Sequence, residues 1–493
     1  MKLQQFLQHH HLRCNPFTEE DAVRDPVFKQ HCISSTFHPA WDKIYGEPSE
    51  PGTAIVFGEK GAGKTALRMQ IAAHLEQFNQ KHPHHRVWVI QYTDFNRFLD
   101  QFRNCVPARW REPAKLLPRW RLWDHLDSLL SLAVTELVDR LLGEGPQAQA
   151  AEPLEPEALG RQQKRDLLLL ALCYDQSFGQ PRHVRWVQLA RQLGFPTWKR
   201  LLAPALGTAG TVLFPALAVK SWGIAGLLWP WTYAPVAASW CPWLWRAWTR
   251  WEYARGIRRQ VRVLDHETGS LWHMLQRLSG DDLGGQPLPT QDRTDDRYEL
   301  LVKLQGVLRA LGYTSLVVLV DRVDEPHLIN GSPERMKELV WPLLDNKLLS
   351  HPGMGFKLLL PVELTYFIER ESAQFHQRAR LDKHNLIRSL EWSGEALLDV
   401  AQDRLRACAE PGHEPSLFDM LDPEINRQRV IDALAALRTP RNLFKFMYQL
   451  LASHCKTFSE DQPVWTISRE RFETELALYQ REQQVYLSRP AAV

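Results

Sequence analysis

Short, mainly apolar runs recur along the chain at Ala54–Phe57, Val87–Tyr92, Leu316–Val320 and Phe356–Glu363. They lack the polar–apolar alternation of a half-solvated hairpin, so they read as strands buried on both faces of a parallel sheet. Elsewhere the pattern is helical. Ala66–Ala72 follows the first run, Leu126–Leu132 and Asp166–Leu172 form leucine-rich helices, and Leu397, Leu398, Ala401 and Leu405 repeat along one helix side. Strands mixed with helices in this way predict an α/β fold with a parallel sheet. A long helical stretch separates the second strand from the third, so residues 101–200 are expected as a helical insertion, with Gly143–Pro156 as a linker.

The densest apolar region is Leu201–Trp245. Leu201–Val219 is 19 residues without a formal charge, and after Lys220 the stretch Ser221–Trp245 adds 25 more. As helices these measure about 28 and 37 Å, against a hydrocarbon core of about 30 Å. The reading is a transmembrane hairpin, spans 201–219 and 222–245, joined by a very short turn. Lys199 and Arg200 precede it, and Arg246, Arg250 and Arg255 follow, placing positive charge at both ends on one side. Tryptophans such as Trp222, Trp229, Trp231, Trp243 and Trp245 suit an interface. Pro204, Pro215, Pro230, Pro235 and Pro242 weaken continuous helices, so interfacial insertion, or packing as a soluble apolar plug, fits the same composition. Arg246–Leu278 then reads as a basic amphipathic helix carrying Arg255, Arg258, Arg259 and Arg262, either on anionic headgroups or simply solvated. Gly280–Asp296 reads as a linker.

Composition narrows the partners only a little. Of the 493 residues 24% are charged, the net charge is +3, and the mean hydropathy is −0.35. That balance gives no electrostatic signature of nucleic-acid binding. The seven cysteines show no C-x-x-C pair, which argues for reduced thiols rather than a zinc or disulfide framework. The polar, His-rich N-terminus has no secretory signal.

Chemistry is concentrated after the first strand, in Gly58-Glu59-Lys60-Gly61-Ala62-Gly63-Lys64-Thr65, with Ala66 opening a helix. Glycines let backbone N–H groups converge on phosphates, Lys64 reaches the β- and γ-phosphates, and the Thr65 hydroxyl ligates Mg²⁺ at a helix N-terminus. The expected ligand is a nucleoside triphosphate. It is ATP rather than GTP because no N/T-K-x-D motif follows a strand. The third strand ends in Asp321-Arg322-Val323-Asp324-Glu325. An acid there points into the crevice of a parallel sheet, so Asp321 is expected to hold Mg²⁺ opposite Thr65, and Glu325, with Asp324 as alternate, to orient the attacking water.

Other positions carry two readings. Residues 1–50 form an arm that lines the base pocket, or a surface strap anchored by Phe17, Phe28 and Trp41. Asp94 faces nucleotide from a strand next to the first one, or caps the following helix. Pro361 and Glu363 replace the usual polar γ-phosphate sensor. Arg370, Arg378 and Arg380 are trans-acting fingers, which would imply a homo-oligomer, or solvated side chains. Ser393 caps a helix. Pro440 opens another that presents Arg441 to the phosphates or to a salt bridge.

With both motifs placed, the chain resembles the additional-strand P-loop ATPases of the STAND and KAP groups. Gly58–Thr65 matches their Walker A motif, Leu316–Glu325 resembles the STAND Walker B form, and Thr439-Pro440-Arg441 is similar to their helical lid. An apolar insertion between the two motifs is a KAP feature. The resemblance implies a P-loop NTPase core split into 51–100 and 296–390, a hydrophobic hairpin at 201–247, a basic helix and linker at 248–295, and a lid at 391–493. It further implies a Mg²⁺-dependent ATPase switch tethered to the cytoplasmic membrane, in signalling or defence, with lipid as a partner. A soluble nucleotide-gated scaffold that docks a protein through the tryptophan-rich stretch is the alternative. A nucleic-acid partner is not expected, for lack of a recognition-helix pattern.

Overall fold

The four apolar runs all form strands: β1 (Ala54–Gly58), β2 (Arg86–Tyr92), β3 (Tyr313–Val320) and β4 (Met354–Pro361). These observations come from a computed structural model that describes residues 1–144, 154–176, 179–196 and 202–488. Most of the expected Gly143–Pro156 linker, and the Lys199–Arg200–Leu201 flank, lie outside the described residues. A short fifth strand, β5 (Asn385–Ile387), completes a parallel sheet of order β2-β3-β4-β1-β5. β5 escaped the pattern reading because its three residues are half-exposed, so no apolar run marks it. β1 pairs in register with β4 from Ala54↔Lys357 to Gly58↔Pro361, and with β5 from Ala54↔Asn385 to Val56↔Ile387. Because β4 stands between β1 and β3, β2 is an edge strand that does not neighbour β1. The expectation that Asp94 follows a strand beside β1 is therefore corrected. Asp94 Oδ1 instead accepts from Asn96 N at 3.1 Å, opening the Asn96–Cys105 helix.

The chain divides into two compact units, one made of Met1–Pro83, Val317–Lys337 and Leu344–Val493, the other of His84–Leu316 and Glu338–Leu343. The first unit contains the Lys64–Lys81 helix and a C-terminal set of helices, Gly394–Ala407, Arg427–Leu437, Pro440–Thr457 and Arg469–Ser488. Ser393, Asn426 and Thr439 cap the first three through Ala396 N, Arg429 N and Asn442 N, satisfying donors that helix starts leave free. Their apolar faces share a core with Phe6, Leu7, Leu12 and Phe17 of the N-terminal arm. The arm thus carries part of the core.

The second unit is helical apart from its share of the sheet. Around the Leu122–Leu142 helix it buries polar groups in pairs: Asp127 receives Arg297 Nε at 3.2 Å and Tyr174 Oη at 2.8 Å, and Asp124 receives Arg262 at 2.6 Å. Burying a carboxylate is tolerable only with such partners.

The apolar stretch does form a helical hairpin, Leu202–Trp222 packed on Tyr233–Gln260. Gly207 and Gly210 permit the approach: a Cβ on Gly207 would stand 2.7 Å from the Trp240 ring. Trp240 Nε1 donates to Thr211 Oγ1 at 3.0 Å. Among the described residues, however, no helix is long and apolar enough to cross a membrane. The predicted 222–245 span is interrupted. Gly223, at φ 64°, ends the first helix, and short 3₁₀ turns at Ile224–Leu228 and Pro230–Thr232 occupy the connection, which is longer than expected because Pro230 opens a turn rather than continuing a helix. The second helix then runs unbroken into the arginine-rich segment, so the basic helix is its continuation and stops at Gln260. One of the arginines expected to face headgroups, Arg262, is bound instead to Asp124, and the flanking Arg250 is buried and donates to Leu278 O at 2.6 Å. Arg255, Arg258 and Arg259 remain exposed.

Candidate functional site

After β1 the chain turns through Glu59–Gly63 into the Lys64–Lys81 helix. Gly61 and Gly63 adopt φ of 93° and 91°, a region side chains rarely enter. At Gly61 a Cβ would also lie 2.8 Å from Arg441 Cβ, so only glycine allows Arg441 to sit over the loop. Arg441 N donates to Gly61 O at 3.4 Å, and Trp392 Nε1 donates to Ala62 O at 2.9 Å. Lys64 Nζ donates to Gly58 O at 2.6 Å and to Glu59 O at 3.0 Å. Burial pulls the Lys64 ammonium below its usual pKa, opposed by the carboxylates of Asp324, Asp321 and Glu363.

β3 delivers the acids. Asp321 is 2% exposed, and its Oδ2 accepts from Thr65 Oγ1 at 2.9 Å and from Arg68 Nε at 3.3 Å, while Oδ1 accepts from Arg322 N at 2.9 Å. Two segments 256 residues apart are thereby brought together at one carboxylate. Arg322 has φ 62°, a conformation a non-glycine residue adopts at some cost, and the turn it makes carries Asp324 and Glu325 onto the same cavity. Burial raises the Glu325 pKa. The Arg322 guanidinium, 3.4 Å away, opposes this, while Asp324, Asp321 and Asp21 add to the rise.

The loop and the acids line a cavity of about 200 Å³. Lys60, Gly61, Gly63, Lys64, Thr65, Ala66, Asp321, Asp324, Glu325 and Arg441 all border it. Gly58, Glu59 and Ala62 shape the loop without being among its lining residues. Of the further positions singled out, Pro361 ends β4 and Glu363 acts on Lys64 only through its charge. Arg370 stacks on Tyr366 with its guanidinium 3.7 Å from the ring centre, Arg378 stands over Phe375, and Arg380 ends a helix at φ 45°. None of these arginines lines the cavity.

The opposite wall comes from the N-terminal arm, through Glu20, Asp25, Phe28, Thr36 and His38, and from Trp392, Arg404 and Phe444. Arg404 donates to Pro16 O at 2.6 Å and to Asp25 Oδ2 at 2.5 Å. His38 Nδ1 accepts from Ala40 N at 3.0 Å, so its Nε2 carries the proton donated to Glu391 O at 2.8 Å. Sequence reasoning missed Arg68, His38, Trp392 and Arg404. One signal was present: Arg68 lies on the same helix face as Thr65, three residues on.

Chemically, a hydroxyl beside a carboxylate makes a hard-cation site, and a lysine beside a glycine loop at a helix start makes an anion site. Among the described residues a separate group of metal-ligating side chains, His11, Glu410 and His413, has ligand atoms within 4.8 Å of one another; its imidazoles stack on each other at 3.8 Å. No family model, curated protein or solved structure matches the chain.

Proposed function

We propose that the protein is a Mg²⁺-dependent ATPase switch of the STAND or KAP type. The observation that carries this reading is the hydrogen bond from Thr65 to Asp321, which sets a hydroxyl and a carboxylate side by side next to Lys64. In this reading Gly58–Ala66 cradles the phosphates with Lys64 on the β- and γ-oxygens, and Thr65 and Asp321 hold the metal. Bound Mg²⁺ supplies charge neutralisation to the phosphates. Glu325 orients and deprotonates the attacking water, assisted by Asp324, and burial that raises its pKa makes it a stronger proton acceptor than a solvated carboxylate. Arg441, seated on Gly61, reports phosphate occupancy to the helices that follow it. The test is Mg·ATP turnover by the purified protein. Lys64→Ala is expected to weaken nucleotide binding roughly 10- to 150-fold, and Glu325→Gln to retain binding while turnover falls roughly 10²- to 10⁴-fold. Turnover by Glu325→Gln at the parent rate sinks the assignment of the base.

We further propose that the hairpin tethers the protein by lying in a lipid interface rather than by crossing it. Its connection exposes Ile224 at 80%, Leu228 at 84% and Trp231 at 79%, and exposed Arg255, Arg258 and Arg259 suit anionic headgroups. Co-sedimentation with vesicles containing phosphatidylserine is expected, and to be lost in Trp229→Ser/Trp231→Ser. If the parent stays in the supernatant, the alternative of a protein-docking surface replaces this one.

A further inference from the structure

Residues 11–14 run antiparallel to residues 408–410 within the first unit. Leu12 bridges Ala409, Arg13 N donates to Cys408 O at 2.9 Å, and Glu410 N donates to His11 O at 2.8 Å. This pairing sets Cys14 Sγ 2.6 Å from Cys408 Sγ, with the two backbones already held in position. Cys14 is exposed and Cys408 is buried at the end of the Gly394–Ala407 helix. Burial, reinforced by Cys14, raises the Cys408 thiol pKa well above its usual value, so the accessible Cys14 is the thiol that meets an oxidant first.

The pair lies just ahead, in sequence, of the arm segment that lines part of the cavity. Immediately after Cys14 the chain is tied to the same helix by Arg404, through Pro16 and Asp25, and then lines the cavity from Glu20 to His38. The arm borders the same cavity as the glycine loop and Arg441, so fixing it in place would restrict any ligand that enters or leaves between them.

We propose that Cys14 and Cys408 form a reversible disulfide site, oxidised by low-molecular-weight disulfides such as glutathione disulfide, that locks the N-terminal wall to the Gly394–Ala407 helix and slows nucleotide exchange. The exchange half rests on the nucleotide reading above. Cys14 thiolate attacks one sulfur of the oxidant and expels a thiolate, giving a mixed disulfide. Cys408 then gives up its proton, attacks Cys14 Sγ, and expels the second thiolate. Two protein thiols are oxidised by two electrons, and one small disulfide is reduced to two thiols.

The test treats the full-length protein with glutathione disulfide, alkylates remaining thiols, and maps peptides without reduction. A Cys14–Cys408 cross-link is expected. In the same samples, a fluorescent ATP analogue with Mg²⁺ should dissociate several-fold more slowly from oxidised protein. Dithiothreitol should restore the rate, and Cys14→Ser, which alters an exposed position, should abolish the effect. A glutathione adduct persisting on Cys14 with Cys408 alkylated, or a Cys32–Cys408 link, overturns the site. A cross-link that leaves dissociation unchanged overturns the regulation. Failure of the reduced protein to bind the analogue overturns the nucleotide reading and its regulation, while the peptide map still judges the cross-link.

Discussion

One carboxylate oxygen, Asp321 Oδ2, accepts from both Thr65 and Arg68. In the proposed reading, a divalent cation held between Thr65 and Asp321 would compete with Arg68 for that oxygen and feel its positive charge. Replacing Arg68 by glutamine removes the competing charge but keeps a polar side chain. The Mg²⁺ midpoint for ATP turnover is expected to move several-fold lower in Arg68→Gln and at least roughly tenfold higher in Asp321→Asn. An unmoved midpoint in both variants places the metal elsewhere. Lys64→Ala removes a charged donor from a partly buried position, which costs about 1.5–3 kcal/mol of binding, or roughly 10- to 150-fold in affinity. Equilibrium titration with the fluorescent ATP analogue measures it.

Elements are held to one another here by few, identifiable side chains. Arg404, 3% exposed, ties the arm to the Gly394–Ala407 helix through Pro16 and Asp25, beside the hydrogen bond from Thr36 to Asp403, with its guanidinium 4.3 Å from the Phe444 ring centre. Arg404→Ala strands Asp25 in a buried position and is expected to cost about 3–5 kcal/mol in urea unfolding. Arg404→Met with Asp25→Asn should cost less, because no unpaired charge remains. In the other unit, Gly207→Val forces a branched side chain into the Trp240 ring and is expected to destabilise the hairpin by about 1–3 kcal/mol, read as lost hydrogen-exchange protection in Leu202–Trp222. Strands β1 to β4 and the glycine loop were legible because each is a local pattern: an apolar run needs no partner to be recognised, and a loop glycine declares its own φ. Arg404 and His38 were not legible, since their partners Asp25 and Glu391 lie hundreds of residues away and nothing local distinguishes them from solvated side chains. Lys357 is similar. It interrupts the apolar run of β4, yet it is buried and donates to Tyr45 O and Gly52 O. The hairpin's connection was misread because charge-free length was counted, whereas Gly223 and Pro230 decide where the helices stop.

At the scale of the whole molecule, the two units are expected to respond to different solutes. In the proposed reading Mg·ATP binds the unit that carries Thr65 and Asp321, and at a hundred times its dissociation constant would stabilise it by about 2.7 kcal/mol. Acid acts on the other through His125. This imidazole is fully buried, donates from Nε2 to Leu339 O at 2.8 Å and accepts at Nδ1 from Tyr92 Oη at 3.0 Å, so it is held neutral, and burial pushes its pKa down to about 3. A histidine depressed in the folded state gives its full stabilisation above the unfolded pKa of 6.5. That stabilisation is lost as pH falls from there toward 3, because the unfolded chain takes up the proton first. Asp124, raised by burial to about 6, has the opposite sign, losing stabilisation as pH rises from its ordinary value toward 6. A raw pH profile mixes the two. Comparison with His125→Gln, which keeps Asp124, separates them. Between pH 7.5 and 5.5 the parent should lose about 1.3 kcal/mol more than the variant, measured from hydrogen-exchange protection of the Leu122–Leu142 helix after correction for intrinsic rates. Equal losses would mean that His125 is not the group kept neutral by the fold. Adding Mg·ATP should leave this difference unchanged while raising protection in Gly394–Ala407.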